Sequence, residues 1–201
     1  MRKNDKKSLR EEKIKEVALD SFLKNGYGKT NLNDIIKQSG GSLSNIYNKF
    51  KNKEGLFLEI LNDICKNNYD FILEKTNNIK SDNLKDILTS FGLIYIELFN
   101  DKRAISFGKI IYSQVYNKKI DLASWIEKSY KNSLQSILIS YIKNQEKLSN
   151  IKDIEKICEI FCTLLKEPNF TLSITTNKKP LDKKEQKERV DFVVNLILNG
   201  V

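Results

Sequence analysis

The stretch that decides the fold is residues 18–57, ALDSFLKNGYGKTNLNDIIKQSGGSLSNIYNKFKNKEGLF. It contains two short segments of helical character, each preceded by a side chain that can accept a hydrogen bond from the first backbone N–H groups of a helix. Thr30 is the predicted cap of the first segment, which ends at Gly40-Gly41, and Ser42 is the predicted cap of the second, 43–50. A capped short helix, a turn with glycine and a second capped short helix form the layout of a helix-turn-helix.

The segments on both sides of this stretch are also predicted to be helices. Upstream, four apolar residues recur at the spacing of one helix face, namely Ile14, Val17, Ala18 and Phe22. Downstream, helices are predicted over 54–75, 83–100, 103–117, 119–148, 151–167 and 182–199. Residues 168–181 are compatible either with a strand, because apolar residues alternate there, or with a kinked continuation after Pro168. Since the chain has only two prolines and eight glycines, the pattern predicts an all-α protein.

The second short helix predicts a surface that could read DNA. On a helical wheel Leu43, Ile46 and Phe50 share one side and form the seam against the preceding helices. The opposite side carries only polar side chains and one cation, which are Ser44, Asn45, Tyr47, Asn48 and Lys49. Asparagine can pair with adenine through two hydrogen bonds, serine can bond either kind of base edge, and tyrosine and lysine can hold phosphates. The alternative interpretation is an ordinary polar face of a short exposed helix.

Positive charge is concentrated at the N-terminal end of the chain. The 201 residues have a formal net charge of +9, and residues 1–53 contain 13 Lys and Arg against six Asp and Glu, a net +7. Such asymmetry indicates an anionic partner, either nucleic acid or a membrane surface, with a solubilising basic tail as the alternative. Residues 2–10 are predicted to form a mobile basic arm, whose cations Arg2, Lys3, Lys6 and Lys7 would enter an adjacent minor groove.

Composition excludes several classes of chemistry. Histidine is absent, which removes histidine acid–base catalysis, serine–histidine triads and most zinc sites. The three cysteines, Cys65, Cys158 and Cys162, are too few for a disulfide framework, so we expect a reducing cytoplasm and neither metal nor cofactor. We find no nucleophile–base pair and no phosphate-binding glycine loop, and therefore do not expect an enzyme. No apolar run reaches the length of a membrane span and no signal peptide is evident, so no membrane partner is expected.

Residues 18–57 resemble the DNA-binding domain of the TetR/AcrR family of bacterial transcriptional regulators. The matching positions are Ala18, Phe22, Gly26, Tyr27, Thr30, Ile35, Gly40, Ser42, Tyr47, Phe50, Lys53, Glu54, Leu56 and Phe57. The resemblance implies phosphate contacts from Thr30, Ser42, Tyr47 and Lys53, and base or groove contacts from Ser44, Asn45 and Asn48. Two positions depart from the pattern: Gly41 stands where the family usually has valine, and Leu43 where it often has a basic residue or proline.

The resemblance also implies a two-domain organisation. Residues 1–53 would be the DNA-binding domain and residues 54–201 a helical domain that binds a ligand and pairs two subunits. The implied function is that of a homodimeric repressor, which binds a palindromic operator in double-stranded DNA and is released by a small lipophilic ligand. A non-inducible DNA-binding protein of the same fold, associated with the nucleoid or a partner, and a transcriptional activator are the alternatives.

Candidate residues for pairing and for the ligand lie in this second domain. The helix at 182–199 has two apolar stripes, one with Val190, Val193 and Ile197 and one with Phe192, so it needs its own core and a second partner. The predicted dimer interface consists of Ile157, Phe161, Val190, Phe192, Val193 and Ile197. The predicted ligand pocket is lined by Phe91, Tyr95, Phe107, Tyr112 and Trp125. The alternatives are a helix buried within a monomer and aromatic side chains that only pack the core.

Overall fold

The computed structural model describes residues 3–117, 120–130 and 133–200, and within these ranges every regular element is an α-helix. The elements are α1 (Lys3–Asn25), α2 (Leu32–Ser39), α3 (Leu43–Phe50), α4 (Lys53–Asn77), α5 (Leu84–Asn100), α6 (Lys102–Gln114), α7 (Leu122–Tyr130), α8 (Leu134–Lys143), α9 (Ile154–Lys166), α10 (Asn169–Thr175) and α11 (Lys183–Asn199). The all-α prediction is confirmed. None of the helices in these ranges has the length and apolar character that crossing a membrane requires.

Helix α1 begins earlier than the sequence predicts. Residues 3–10 form its first turns, so the prediction of a mobile arm over 2–10 is wrong for these residues. The physical reason is composition, because the lysines, Leu9 and Arg10 of this segment favour a helix and no glycine or proline interrupts them. Arg2 and the side chains of Lys3 and Lys6 lie outside the described residues, and the predicted minor-groove contact of this segment stays a prediction.

Two further segments differ from their predictions. The single helix predicted over 119–148 is two helices, α7 and α8, and Ser133 precedes α8 with extended backbone, as a cap residue does. Residues 169–175 form helix α10, so the strand alternative for 168–181 is wrong. Glu167 before Pro168 is extended, because proline disfavours the helical conformation of the residue before it. The chain therefore stops α9 at this point and starts a new helix.

The chain divides into two compact units. The first comprises Met1–Lys66 with Ile110–Glu127, and the second comprises Asn67–Lys109 with Lys128–Val201. In the first unit α1 packs on α2 and α2 on α3. Its core contains the aromatic cluster of Phe22, Tyr27 and Phe57, whose ring centroids are 5.0–5.5 Å apart. This burial joins α1, the loop after it and α4 around one centre.

The segment 110–127 is held in the first unit by α4. Trp125 donates its indole N–H to Asn62 Oδ1 at 2.8 Å, and the backbone N–H of Asp121 donates to Glu54 Oε1 at 3.2 Å. Ile120 and Leu122, on either side of Asp121 in the chain, are buried. Apolar burial and two hydrogen bonds from α4 thus place the start of α7.

The second unit is a helical bundle in which α5 packs against α9 and α11. The helices approach closely at Gly92, where an added Cβ would lie 3.0 Å from Val190 Cγ1 and 3.1 Å from Phe161 Cζ. Arg189 on α11 donates Nε to the carbonyl oxygen of Leu164 at 2.9 Å, and so supplies a partner to the unpaired carbonyl end of α9. Asp182 and Glu185 form a capping box that starts α11.

Candidate nucleic-acid interface

Helix α2 is capped one residue later than predicted. The N-cap is Asn31, whose Oδ1 accepts a hydrogen bond from the backbone N–H of Asn33 at 2.9 Å. Thr30 is only 5% exposed, and its hydroxyl donates to the carbonyl oxygens of Ser21 at 3.1 Å and Gly26 at 2.9 Å. The prediction that Thr30 caps α2 is therefore wrong, because its hydroxyl closes the loop after α1 instead. Its predicted phosphate contact stays a prediction.

The turn between α2 and α3 depends on its two glycines. Gly40 and Gly41 have φ of 77° and 102°, in the region that L side chains rarely adopt. Ser42 then caps α3 as predicted, with Oγ accepting from the backbone N–H of Asn45 at 3.4 Å. Gly41, which stands where the family pattern has valine, permits this backbone conformation.

Helix α3 presents the faces that the sequence predicts. Ile46 and Phe50 are buried, and Leu43 is half-buried on the same side. Tyr47 is 53% exposed, and Ser44, Asn48 and Lys49 are also exposed, with Asn45 half-buried at the edge. Asn48 donates Nδ2 to Ser44 Oγ at 3.3 Å, which aligns two candidate base-reading groups one helical turn apart. The arrangement presents hydroxyl and amide groups on one solvent-facing surface.

The two lysines predicted to touch DNA are both engaged within the protein. Lys49 Nζ lies 3.8 Å from Glu11 Oε2 on α1. Lys53 donates to the carbonyl oxygens of Tyr27 at 2.9 Å and Thr30 at 3.0 Å, and its ammonium lies 4.5 Å from the centroid of the Tyr27 ring. Lys53 consequently holds the loop between α1 and α2, a role that periodicity does not reveal. DNA contacts from both lysines stay predictions.

Tyr27 carries the clearest electrostatic effect in this unit. Burial, with a smaller contribution from the Glu54 carboxylate, raises the pKa of Tyr27 to about 12. Its phenol is therefore neutral at any physiological pH. The aromatic cluster of Phe22, Tyr27 and Phe57 thus adds no charge to the candidate surface.

Gly55 is a positioning residue that sequence reasoning missed. A Cβ added there would lie 1.9 Å from the carbonyl oxygen of Phe50, so only glycine fits between the start of α4 and the end of α3. Asn52 supports the same junction, because its Oδ1 accepts from the N–H of Gly55 at 2.7 Å. The available signal was the glycine inside a predicted helix, which often marks a close backbone approach.

The five residues of the predicted ligand pocket are divided between the two units. Phe91 and Tyr95 are buried in the core of the second unit with ring centroids 5.8 Å apart, and Phe107 is half-buried in the same unit. Tyr112 and Trp125 belong to the first unit, where Tyr112 is exposed. Sequence could not separate these groups, because the aromatic composition is similar in both.

Three residues of the predicted dimer interface are buried within one protomer. Phe161, Val190 and Val193 are at most 2% exposed and form part of the core around α5. The prediction that they face a partner is wrong, because α5 already covers them. Ile157 and Ile197 are half-buried, and Phe192 is 67% exposed. The sequence analysis missed Ile160 on α9, which is 53% exposed and follows Ile157 by three residues.

The two cysteines on α9 fill space in the apolar core. Cys158 and Cys162 are both buried and free. Burial, with a smaller contribution from Glu155, raises the pKa of Cys158 to about 12, and burial also raises the pKa of Cys162. Neither thiol is ionised near neutral pH, so neither has the reactivity of a thiolate. In the described ranges no group of three or more Cys, Asp and Glu side chains is placed to hold a metal ion.

Comparisons with known proteins agree with this geometry. Residues 14–60 match the profile of the bacterial regulatory proteins of the tetR family. The chain is 53% identical over 51 residues to the HTH-type transcriptional regulator QacR of Staphylococcus aureus, a match that spans 25% of this chain and 27% of QacR. It is 28% identical over 134 residues to the uncharacterized HTH-type regulator YvkB of Bacillus subtilis, which spans 65% of each. The chain thus spans about a quarter of the one relative and less than two thirds of the other.

The same fold occurs in solved structures. A putative TetR-family transcriptional regulator from Mesorhizobium loti superimposes with a TM-score of 0.80 over 96% of both chains, at 18% sequence identity. At this identity the likeness concerns the fold alone. It extends beyond residues 14–60 to both units.

Proposed function

We propose that this chain, whose residues 14–60 match the tetR family of bacterial regulatory proteins, is a homodimeric repressor of a palindromic operator, released by a small lipophilic ligand. The observation that carries the DNA-binding part is the exposed face of α3. Ser44, Tyr47 and Asn48 stand there on a helix whose other side is anchored by Ile46 and Phe50. Groups of this kind on a rigid helix suit the major groove.

Charge supports the same surface. The net +7 of residues 1–53 supplies the electrostatic term that dominates affinity for DNA. Footprinting across the region upstream of the protein's own gene tests the proposal. A repressor protects one short palindrome, with affinity that falls steeply as salt rises. Protection of many dispersed sites would favour the nucleoid-type alternative, and stimulation of transcription from the protected site would favour the activator. Such a regulator acts in the cytoplasm, where the chromosome is.

Pairing of two chains is proposed through α9 and α11. One recognition helix covers too few base pairs to select a site, so helix-turn-helix proteins commonly read two half-sites as dimers. The second unit offers an apolar surface for this purpose, since Ile160 and Phe192 are exposed on neighbouring helices. Sedimentation of the wild type should give a dimer, and Phe192→Asp should give monomers. A Phe192→Asp dimer would remove this surface from the interface.

Release by a ligand is the third element of the proposal. The ligand must bind more tightly to a conformation whose recognition helices no longer fit the groove. Trp125 is the only tryptophan of the chain, and its hydrogen bond to Asn62 makes it a reporter of the first unit. Titration of lipophilic compounds should change Trp125 fluorescence and operator affinity together. Compounds that bind without changing operator affinity would leave the DNA-binding proposal intact and refute induction.

A further inference from the structure

We propose that Arg10, on α1, makes a DNA phosphate contact beside the recognition helix α3, an inference that rests on the proposed function. Neither the sequence pattern nor the family resemblance assigned this residue to the interface. Arg10 is exposed and lies 31 residues before Gly41 in the chain, yet it meets the turn that leads into α3.

Arg10 approaches the turn at Gly41. A Cβ added to Gly41 would lie 3.4 Å from Cδ of Arg10 and 3.2 Å from Nδ2 of Asn45. The arginine stem therefore runs alongside the glycine, next to one of the candidate base-reading residues. Because Nε is bonded to Cδ, the guanidinium begins one bond from this contact. The side chain of Arg10 thus joins α1 to the edge of the α3 surface at Gly41.

The charges around Arg10 distinguish it from its neighbours. Lys13 pairs with Glu16 at 3.3 Å, Lys15 pairs with Glu12 and Asp63, and Lys49 is near Glu11. Arg10 makes no ion pair within the ranges that the structure describes. Arg10 is thus a cation beside the turn into α3 that no acidic side chain in these ranges compensates, whereas Lys49, which the sequence pattern favoured, lies near Glu11.

Guanidinium chemistry and position together favour a phosphate as the ligand. Arginine presents a rigid fork of N–H donors that matches two phosphate oxygens. Arg10 stands on a helix that flanks α3, and flanking elements of helix-turn-helix proteins contact the sugar–phosphate backbone while the recognition helix contacts base edges. One neutralised phosphate adds about 0.9 to the magnitude of the slope of log affinity against log salt.

The experiment compares Arg10→Ala with Lys13→Ala in the full chain. Both variants remove one positive charge from the exposed side of α1, but Lys13 is already paired with Glu16. The probes are the fragment that the wild type protects in a footprint and a random-sequence duplex of equal length. We expect Arg10→Ala to lose about tenfold affinity for both duplexes, with a salt slope smaller by about 1. Lys13→Ala should lose less than about twofold.

Each outcome bears on the inference. Equal losses in the two variants would attribute the effect to net charge and overturn the contact. A loss confined to one base pair of the protected site would overturn the phosphate assignment. If Arg10→Ala keeps its affinity while Tyr47→Phe loses affinity, the phosphate contact of Arg10 is refuted and the DNA-binding proposal is not. A wild type that protects no fragment would refute the proposed function as well. Arg10→Lys keeps the positive charge but removes the forked guanidinium. This variant should keep the salt slope and lose part of the affinity.

Discussion

Helices α3 and α11 both have two distinct faces, but the two helices pack against different parts of the chain. α3 has eight residues, and its apolar side meets elements that are close in sequence, so the polar side is left to solvent. α11 has 17 residues with apolar positions around much of its circumference, and it packs on α5 and α9 from distant parts of the chain. A local motif therefore reveals its free face from the sequence, whereas a helix with two apolar stripes does not.

The largest effect is expected from the two stripes of α11. Val193 is buried, so Val193→Asp places an unpaired charge in the core and should cost more than about 3 kcal/mol of unfolding free energy. Phe192→Asp, one residue earlier on the exposed side, should change the melting temperature of the monomer little and act on dimerisation. Thermal unfolding and sedimentation of both variants measure the difference. Equal loss of stability in the two variants would contradict the assignment of faces.

The junction between α3 and α4 should tolerate no side chain. Gly55→Ala introduces a Cβ against the carbonyl oxygen of Phe50, and the strain should cost about 1–3 kcal/mol. Urea denaturation checks the stability. The control is Gly28→Ala, since a Cβ at Gly28 meets no heavy atom within 4 Å and φ at this residue is not in the left-handed region. Similar losses of stability in Gly55→Ala and Gly28→Ala would contradict the close contact between Gly55 and Phe50.

The candidate base-reading group on α3 is tested by Asn48→Ala. Loss of two hydrogen bonds to a base should cost about 1–3 kcal/mol on the protected site and little on unrelated duplex DNA. Fluorescence anisotropy with both duplexes gives the two affinities. The exposed position of Asn48 makes a change in folding stability unexpected. A uniform loss on both duplexes would assign Asn48 to the phosphate backbone instead.

The folding stability of the first unit should fall at alkaline pH because of Tyr27. Its pKa is raised to about 12, above the ordinary value near 10, so the folded state keeps the proton that the unfolded state loses. The stability from this group is present below pH 10 and is lost as pH rises toward 12. At pH 11 the expected loss is on the order of 1 kcal/mol relative to neutral pH. Tyr27→Phe should remove this part of the alkaline destabilisation, which parallel unfolding curves at pH 8 and pH 11 measure.

The smallest effect is expected at Tyr47. Tyr47→Phe removes one phosphate hydrogen bond and keeps the ring, so affinity should fall by about 1 kcal/mol on every duplex. Because the Tyr47 side chain is exposed, we expect no loss of folding stability. Binding titrations on the protected fragment and on random duplex provide the measurement. Wild-type affinity in the variant would remove Tyr47 from the interface.

Sequence reasoning was accurate where structure depends on neighbours along the chain. The cap at Ser42, the turn at Gly40-Gly41 and the seam of Ile46 and Phe50 all follow from spacing and backbone preference within a few residues. It was inaccurate by one residue at Thr30, because Asn31 is an equally good cap and the threonine hydroxyl found carbonyl partners across the loop. Neighbouring residues can both be suitable N-caps, and tertiary contacts then decide which of them caps the helix.

The sequence by itself determined an all-helical protein with a helix-turn-helix near its N-terminus and the polar composition of α3, because periodicity, capping and turn chemistry are local properties. Only the tertiary structure decided that Val193 belongs to the core while Phe192 stays exposed, and that Arg10 meets Gly41 beside Asn45. It also showed that Lys53 holds the carbonyl oxygens of Tyr27 and Thr30. These features arise where segments distant in the sequence pack against one another. That packing decides which side chains are buried and which charges are paired.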